Sequence, residues 1–125
     1  MIRLSQNKVL QLHGLVTAQT GGDPSVRDTA LLNSALGSAF QTFDGAELYP
    51  TVEEKGARLG FSLISNHAFV DGNKRIGMLV MLTFLELNGI HLALDDRDIV
   101  HIGLSVASGE MRYDALLAFL RSHRC

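Results

Sequence analysis

His67 and Asp71 stand four residues apart, and Gly72, Asn73, Lys74 and Arg75 follow without interruption. This short stretch holds a general-base candidate, a carboxylate able to hold a metal, a turn residue and two cations. An apolar run begins at once behind it and reads as a helix from about Asn73 to Asn88. The polar groups therefore fall in a loop that feeds a helix N-terminus. There, free backbone N–H groups and the positive end of the dipole favour an anion, phosphate above all. Helix starts ordinarily favour carboxylates, so Lys74 and Arg75 are unfavourable at this end unless an anion binds.

Taken together, these groups suit phosphoryl or nucleotidyl transfer, which needs positioning, charge neutralisation and one base. Gly72 and Asn73 can present a nest of N–H groups to a phosphate. Asp71 beside that nest could hold Mg²⁺, which prefers one or two carboxylates plus phosphate oxygens. His67 could take a proton from an attacking hydroxyl. Arg75 could fork onto a phosphate and Lys74 could add a point charge. Taken singly, each has an ordinary structural reading: His67 as a hydrogen-bonded junction residue, Asp71 or Asn73 as a helix cap, Gly72 as a turn, Lys74 and Arg75 as a solvated pair. A metal-dependent hydrolase with His67 and Asp71 as ligands is a further reading. That spacing shares a face only on a helix, and Gly72 argues for a loop. A transition-metal site also needs a third protein ligand, and nothing places His13, His91 or His101 nearby.

The elements that must position this loop are helical. Leu4 to about Ala18 reads as a first helix, capped by Ser5, with Val9, Leu12 and Val16 at helical spacing and His13 as a part-buried or surface residue. It stops at the breaker cluster Thr20-Gly21-Gly22-Asp23-Pro24. Asp28 caps a second helix with Leu31, Leu32, Ala35, Leu36, Ala39 and Phe40 on one face. Gln41 to Pro50 reads as a loop with an Asp44-Gly45 turn. Thr51-Val52-Glu53-Glu54 is a capping box, so a third helix should run to about Ser65 or Asn66 and deliver His67 to the head of the next. Gly56, Ala57 and Gly60 make one side of it small enough for a close neighbour. The fourth helix is apolar nearly all round and belongs in the middle of a bundle. A fifth should run from Asp95–Asp96 to about Ala107, and a sixth from about Tyr113 to Ser122. The sum is an all-α bundle of about six helices, one domain over residues 1–125 with a central buried helix.

Composition agrees with this class. The chain has 125 residues, 46% of them hydrophobic, enough for a substantial core. A formal net charge of -2 marks no general nucleic-acid or membrane surface. Cys125 is the one cysteine, so no disulfide forms within the chain, which fits a cytoplasmic protein. No secretory signal is visible. The apolar run Ile76–Leu85 falls well short of the ~20 residues a spanning helix needs.

The segment His67-x-Phe69-x-Asp71-Gly72-Asn73-Lys74-Arg75 resembles the signature of the Fic/Doc superfamily, His-x-Phe-x-Asp/Glu-Gly/Ala-Asn-Gly/Lys-Arg, and its Lys74 form resembles the death-on-curing (Doc) toxins. The TFDGAELYPT segment, the Glu53-Glu54-Lys55 helix start and FLELNG after the motif are also similar to this family, as is the small helical layout. The resemblance implies that His67 is the base that activates a target protein's hydroxyl, that Phe69 packs inward, and that Asp71 binds Mg²⁺. It also implies that Gly72, Asn73 and Lys74 hold the phosphates of ATP and that Arg75 clamps them. It further implies a small antitoxin that covers the site, and a translation elongation factor as target.

Two departures bear on the reaction. Lys74 stands where adenylyl-transferring members have a second glycine, and Met78 where they have a second arginine. Both argue for transfer of the γ-phosphate rather than of AMP, with AMP transfer as the alternative. A Fic-like binding module with an unused site is a third option, although His67, Asp71, Asn73 and Arg75 are all present. No stretch fits the self-inhibitory pattern Ser/Thr-x-x-x-Glu-Gly/Asn, so regulation is expected from a separate chain.

Overall fold

The computed structural model describes residues 1–125 and contains six α-helices: α1 (Gln6–Thr20), α2 (Thr29–Ser38), α3 (Val52–Ser65), α4 (Asn73–Leu87), α5 (Asp96–Ser108) and α6 (Tyr113–Ser122). The starts follow the local chemistry. Ser5, Asp28, Thr51 and Asp95 each accept a hydrogen bond from an orphan N–H of the first turn, and Thr51–Glu54 and Asp95–Asp98 close reciprocal capping boxes. The expected loop after α2 instead contains a two-residue antiparallel ribbon, β1 (Thr42–Phe43) with β2 (Ala46–Glu47), turning at Asp44-Gly45.

The centre is the pair α3 and α4, with α1, α2, α5 and α6 packed around it. Small residues set its spacing. A Cβ added at Gly77 would lie 2.5 Å from Ile64 Cγ1 and 3.3 Å from the Gly60 carbonyl oxygen, and one at Gly60 would lie 2.7 Å from Met81 Sδ. Ile76, Val80, Met81, Phe84 and Leu85 of α4 are buried against Ala57, Leu59, Leu63 and Ile64 of α3, within one continuous apolar cluster. Burial of such side chains, each worth roughly 1.5–3 kcal/mol, holds the pair together. Leu87 is nevertheless 45% exposed, so α4 is not covered over its whole length.

The ribbon is anchored from below by Lys55. This residue is 1% exposed, and its ammonium donates to Glu47 Oε1 at 3.0 Å and to the Tyr49 carbonyl. Those bonds satisfy an ammonium that burial would otherwise penalise heavily. At the other end of the chain, Leu92 bridges to Arg124, and the Ala93 and Cys125 N–H groups donate across the same pairing, which folds the segment after α6 back onto the α4–α5 connector.

The α1 stripe departs from the periodicity of Val9, Leu12 and Val16. The buried face runs Val9, His13, Thr17, one residue per turn, and His13 is 1% exposed rather than at the surface. Val9 meets the apolar cluster, whereas His13 bonds the Asp71 carbonyl in the polar loop ahead of α4; Thr17 turns its hydroxyl back to the His13 and Gly14 carbonyls and its methyl towards Gly72.

Candidate active site

Residues 66–72 are not helical. The chain leaves α3 through Asn66 and enters the left-handed region at His67, φ 54°, a conformation that costs a non-glycine residue of order 1 kcal/mol. Arg27 offsets this. Its Nε donates to the His67 carbonyl at 2.6 Å and its guanidinium reaches the Asn66 carbonyl at 3.3 Å, placing a cation on the C-terminal carbonyls of α3. Phe69 then turns fully inward, 1% exposed, while His67 and Asp71 remain exposed.

The α4 cap is Gly72, at φ 78°, with no side-chain cap; neither Asp71 nor Asn73 serves that role. The Asn73 amide instead pairs with both sides of Phe69, accepting from its N–H at 3.1 Å and donating to its carbonyl at 3.0 Å. One amide N–H of Asn73 and its carbonyl oxygen are therefore engaged by the loop, which leaves the second amide N–H and the main-chain N–H for a phosphate. The first helical bond of α4 runs from the Ile76 N–H to the Gly72 carbonyl, and the N–H groups of Gly72, Asn73, Lys74 and Arg75 have no acceptor in the protein. Lys74 and Arg75 are exposed and make no salt bridge.

These groups line one cleft of about 510 Å³, together with Thr20, Gly21 and Gly22 from the end of α1, Val70 from the loop and Ala107 from α5. The volume lies within the range of ordinary small-molecule sites. His67, Asp71, Gly72, Asn73, Lys74 and Arg75 thus all face the same space. An apolar groove of about 400 Å³ adjoins it, lined by Met78, Leu79 and Leu82 of α4 and Val100 and Leu104 of α5, and shares Lys74 and Arg75.

A second stretch, read from sequence only as a breaker and a cap, splints the loop from behind. The Asp23 N–H donates to Asp71 Oδ2 at 2.9 Å and the Val70 N–H to the Ser25 carbonyl. Val26 bridges to Phe69, and the N–H groups of Arg27 and Asp28 both donate to the Ala68 carbonyl. Gly22 permits this approach, since a Cβ there would lie 3.2 Å from Asp71 Cβ. Ser25, through its hydroxyl and its N–H, holds the Asp23 carboxyl below the usual carboxylate range. No local pattern in the sequence marks residues 22–28 as the partner of this loop, because the contacts span about 40 residues of chain.

No three His, Cys, Asp or Glu side chains converge anywhere in the chain in a way that could hold a metal ion. Asp71 therefore offers a single carboxylate with one oxygen, Oδ1, making no hydrogen bond. That donor set fits Mg²⁺ shared with phosphate oxygens and water, and lacks the third ligand of a zinc-type hydrolase.

The Fic/DOC family model matches residues 3–85, which include the cleft loop and nearly all of α4. The chain belongs to the Fic/Doc family. Over 75 residues it is 45% identical to Toxin Doc of Mycolicibacterium smegmatis (strain ATCC 700084 / mc(2)155), a stretch that is 60% of this chain and 58% of that protein. The chain thus spans somewhat over half the length of the curated relative it matches. The Fic/Doc fold here is the six-helix bundle, and no helix in it is long and apolar enough to cross a membrane.

Proposed function

We propose that this Fic/Doc protein is a Doc-like toxin that transfers the γ-phosphate of ATP to a hydroxyl side chain of a target protein. The observation that carries this reading is the run of unpaired N–H groups from Gly72 to Arg75, beside two cations without carboxylate partners, in the same cleft as the His67 imidazole. Such an arrangement grips an anion at a helix N-terminus with a base in reach of an incoming alcohol.

In this mechanism the Gly72 and Asn73 N–H groups and the Lys74 ammonium bind the phosphates, and the Arg75 guanidinium clamps them. Asp71 would hold Mg²⁺, which when bound neutralises phosphate charge. His67 accepts the proton of the target hydroxyl as its oxygen bonds to the γ-phosphorus. The β–γ bridging oxygen departs with ADP. Lys74 and the buried Met78 support phosphate over AMP transfer, because the second glycine and the second arginine that hold a nucleotide for AMP transfer are both missing. The family resemblance points to a translation elongation factor as target. It also points to a small antitoxin as regulator, and the adjoining apolar groove, with Val100 and Leu104 exposed, is a surface that such a partner could cover.

Incubation of a cell extract with ATP labelled at the α- or γ-phosphate tests the proposal. Label should enter protein from the γ position only, and His67→Ala should lower transfer by about 10²–10⁴-fold. Label retained only from the α position would replace the kinase reading by AMP transfer. Growth inhibition that persists in His67→Ala, without label from either position, would leave a binding module.

A further inference from the structure

We infer that His13 is a positioning residue for the anion-facing main chain: by holding the Asp71 carbonyl it aims the Gly72 N–H into the cleft. This rests on the phosphate reading of that cleft, and none of the motif residues supplies the function. His13 Nε2 lies 2.7 Å from the Asp71 carbonyl oxygen. A carbonyl only accepts, so Nε2 carries the proton. The ring is 1% exposed and stacks on Phe69 with centroids 3.7 Å apart and planes 18° apart.

A leucine would fill such a place without the desolvation cost of an imidazole, so the polar ring needs a reason in its hydrogen bond. The peptide geometry supplies one. In a trans peptide the C=O and the following N–H point to opposite sides of the chain, and no peptide here is cis. A carbonyl fixed toward α1 sends the Gly72 N–H away from α1. That N–H has no acceptor in the protein, and Gly72 lines the cleft. Glycine tolerates either sign of φ, so the Asp71–Gly72 peptide could flip at little cost if nothing held it. A flip would turn the carbonyl oxygen toward the phosphate and replace attraction by repulsion.

Two variants separate the donor from the ring. His13→Gln keeps an N–H donor at similar reach, while His13→Phe keeps the stack on Phe69 and loses the donor; His13→Leu is the second donorless variant should His13→Phe misfold. Nitrogen NMR of the ligand-free chain should show the Nε2–H tautomer at His13. It should also show exchange broadening of the residue 71–73 amides in the donorless variants, but not in wild type or His13→Gln. Calorimetric titration with inorganic tripolyphosphate and Mg²⁺ should give about tenfold weaker binding for a folded donorless variant and recovery to within about threefold for His13→Gln, the size of one hydrogen bond. An Nδ1–H tautomer, or unbroadened amides in a folded donorless variant, overturns the assignment. Wild type that ignores tripolyphosphate would defeat the phosphate reading instead, and the amide signals would still decide the role of His13.

Discussion

Asn73 shows how far a residue's type underdetermines its job. In the sequence it sits among groups suited to hold phosphate. In the structure both ends of its amide close on the Phe69 peptide, which stands in the loop just before α4. Asn73→Ala should therefore destabilise the fold by about 1–3 kcal/mol, because a donor and an acceptor are left without partners at a part-buried peptide. Chemical denaturation reads this directly; an unchanged midpoint with lost activity would mean that the amide acts on the ligand instead. Aspartate at this position can still accept from the Phe69 N–H but sets a carboxylate against its carbonyl, so Asn73→Asp should not restore stability. The same lesson holds for His13. Its helical position could be read from the chain, but its burial could not, because the loop it meets lies 58 residues away.

At the scale of elements, the spacing of α3 and α4 decides where His67 meets the head of α4. Gly77→Ala should cost about 1–3 kcal/mol or more, since the new methyl would lie 2.5 Å from Ile64 Cγ1 and 3.2 Å from the Ile64 main-chain nitrogen, which cannot move aside alone. Gly14→Ala in α1 is the control. Nothing lies within 4 Å of its Cβ position, so it should gain about 0.5–1 kcal/mol of helix stability. Thermal unfolding of the two variants in opposite directions would confirm that close approach, and not glycine content, sets this interface. The elements themselves were legible because their signals are local. Caps at Ser5, Asp28, Thr51 and Asp95 and the long apolar run of α4 act within a turn or two of the chain. The two-residue ribbon was not legible beyond its Asp44-Gly45 turn, because its anchor is the buried Lys55, whose partners Glu47 and Tyr49 are set by packing and not by local pattern.

For the molecule as a whole, alkaline pH should expose the docking of α6 on α3. The Tyr113 hydroxyl donates to the Glu54 carbonyl at 3.3 Å, and burial first, then the Glu54 carboxylate, push its phenol up to about 12. A folded-state value raised above the ordinary 10 means that stability is fully present below pH 10 and is lost as pH rises from 10 towards 12. Because the ring is only part-buried, the loss should be about 1 kcal/mol once solvent screening is allowed for. Denaturation midpoints of wild type and Tyr113→Phe between pH 9 and about 12 check this, with the variant showing the shallower fall. A parallel fall in both would assign the alkaline loss to other groups.

The sequence by itself determined the helical class, the order of the helices, the loop that carries His67, Asp71, Lys74 and Arg75, and the family to which that loop belongs. All of these depend on neighbours within a few residues, where propensity, capping and periodicity act. Only the tertiary structure decided that the Asn73 amide bonds both main-chain groups of Phe69, that residues 22–28 splint the motif from behind, and that His13 holds the Asp71 carbonyl. The last two join segments far apart in the chain through a few hydrogen bonds and one ring stack. Such pairings leave no period and no local composition behind, so packing alone reveals them.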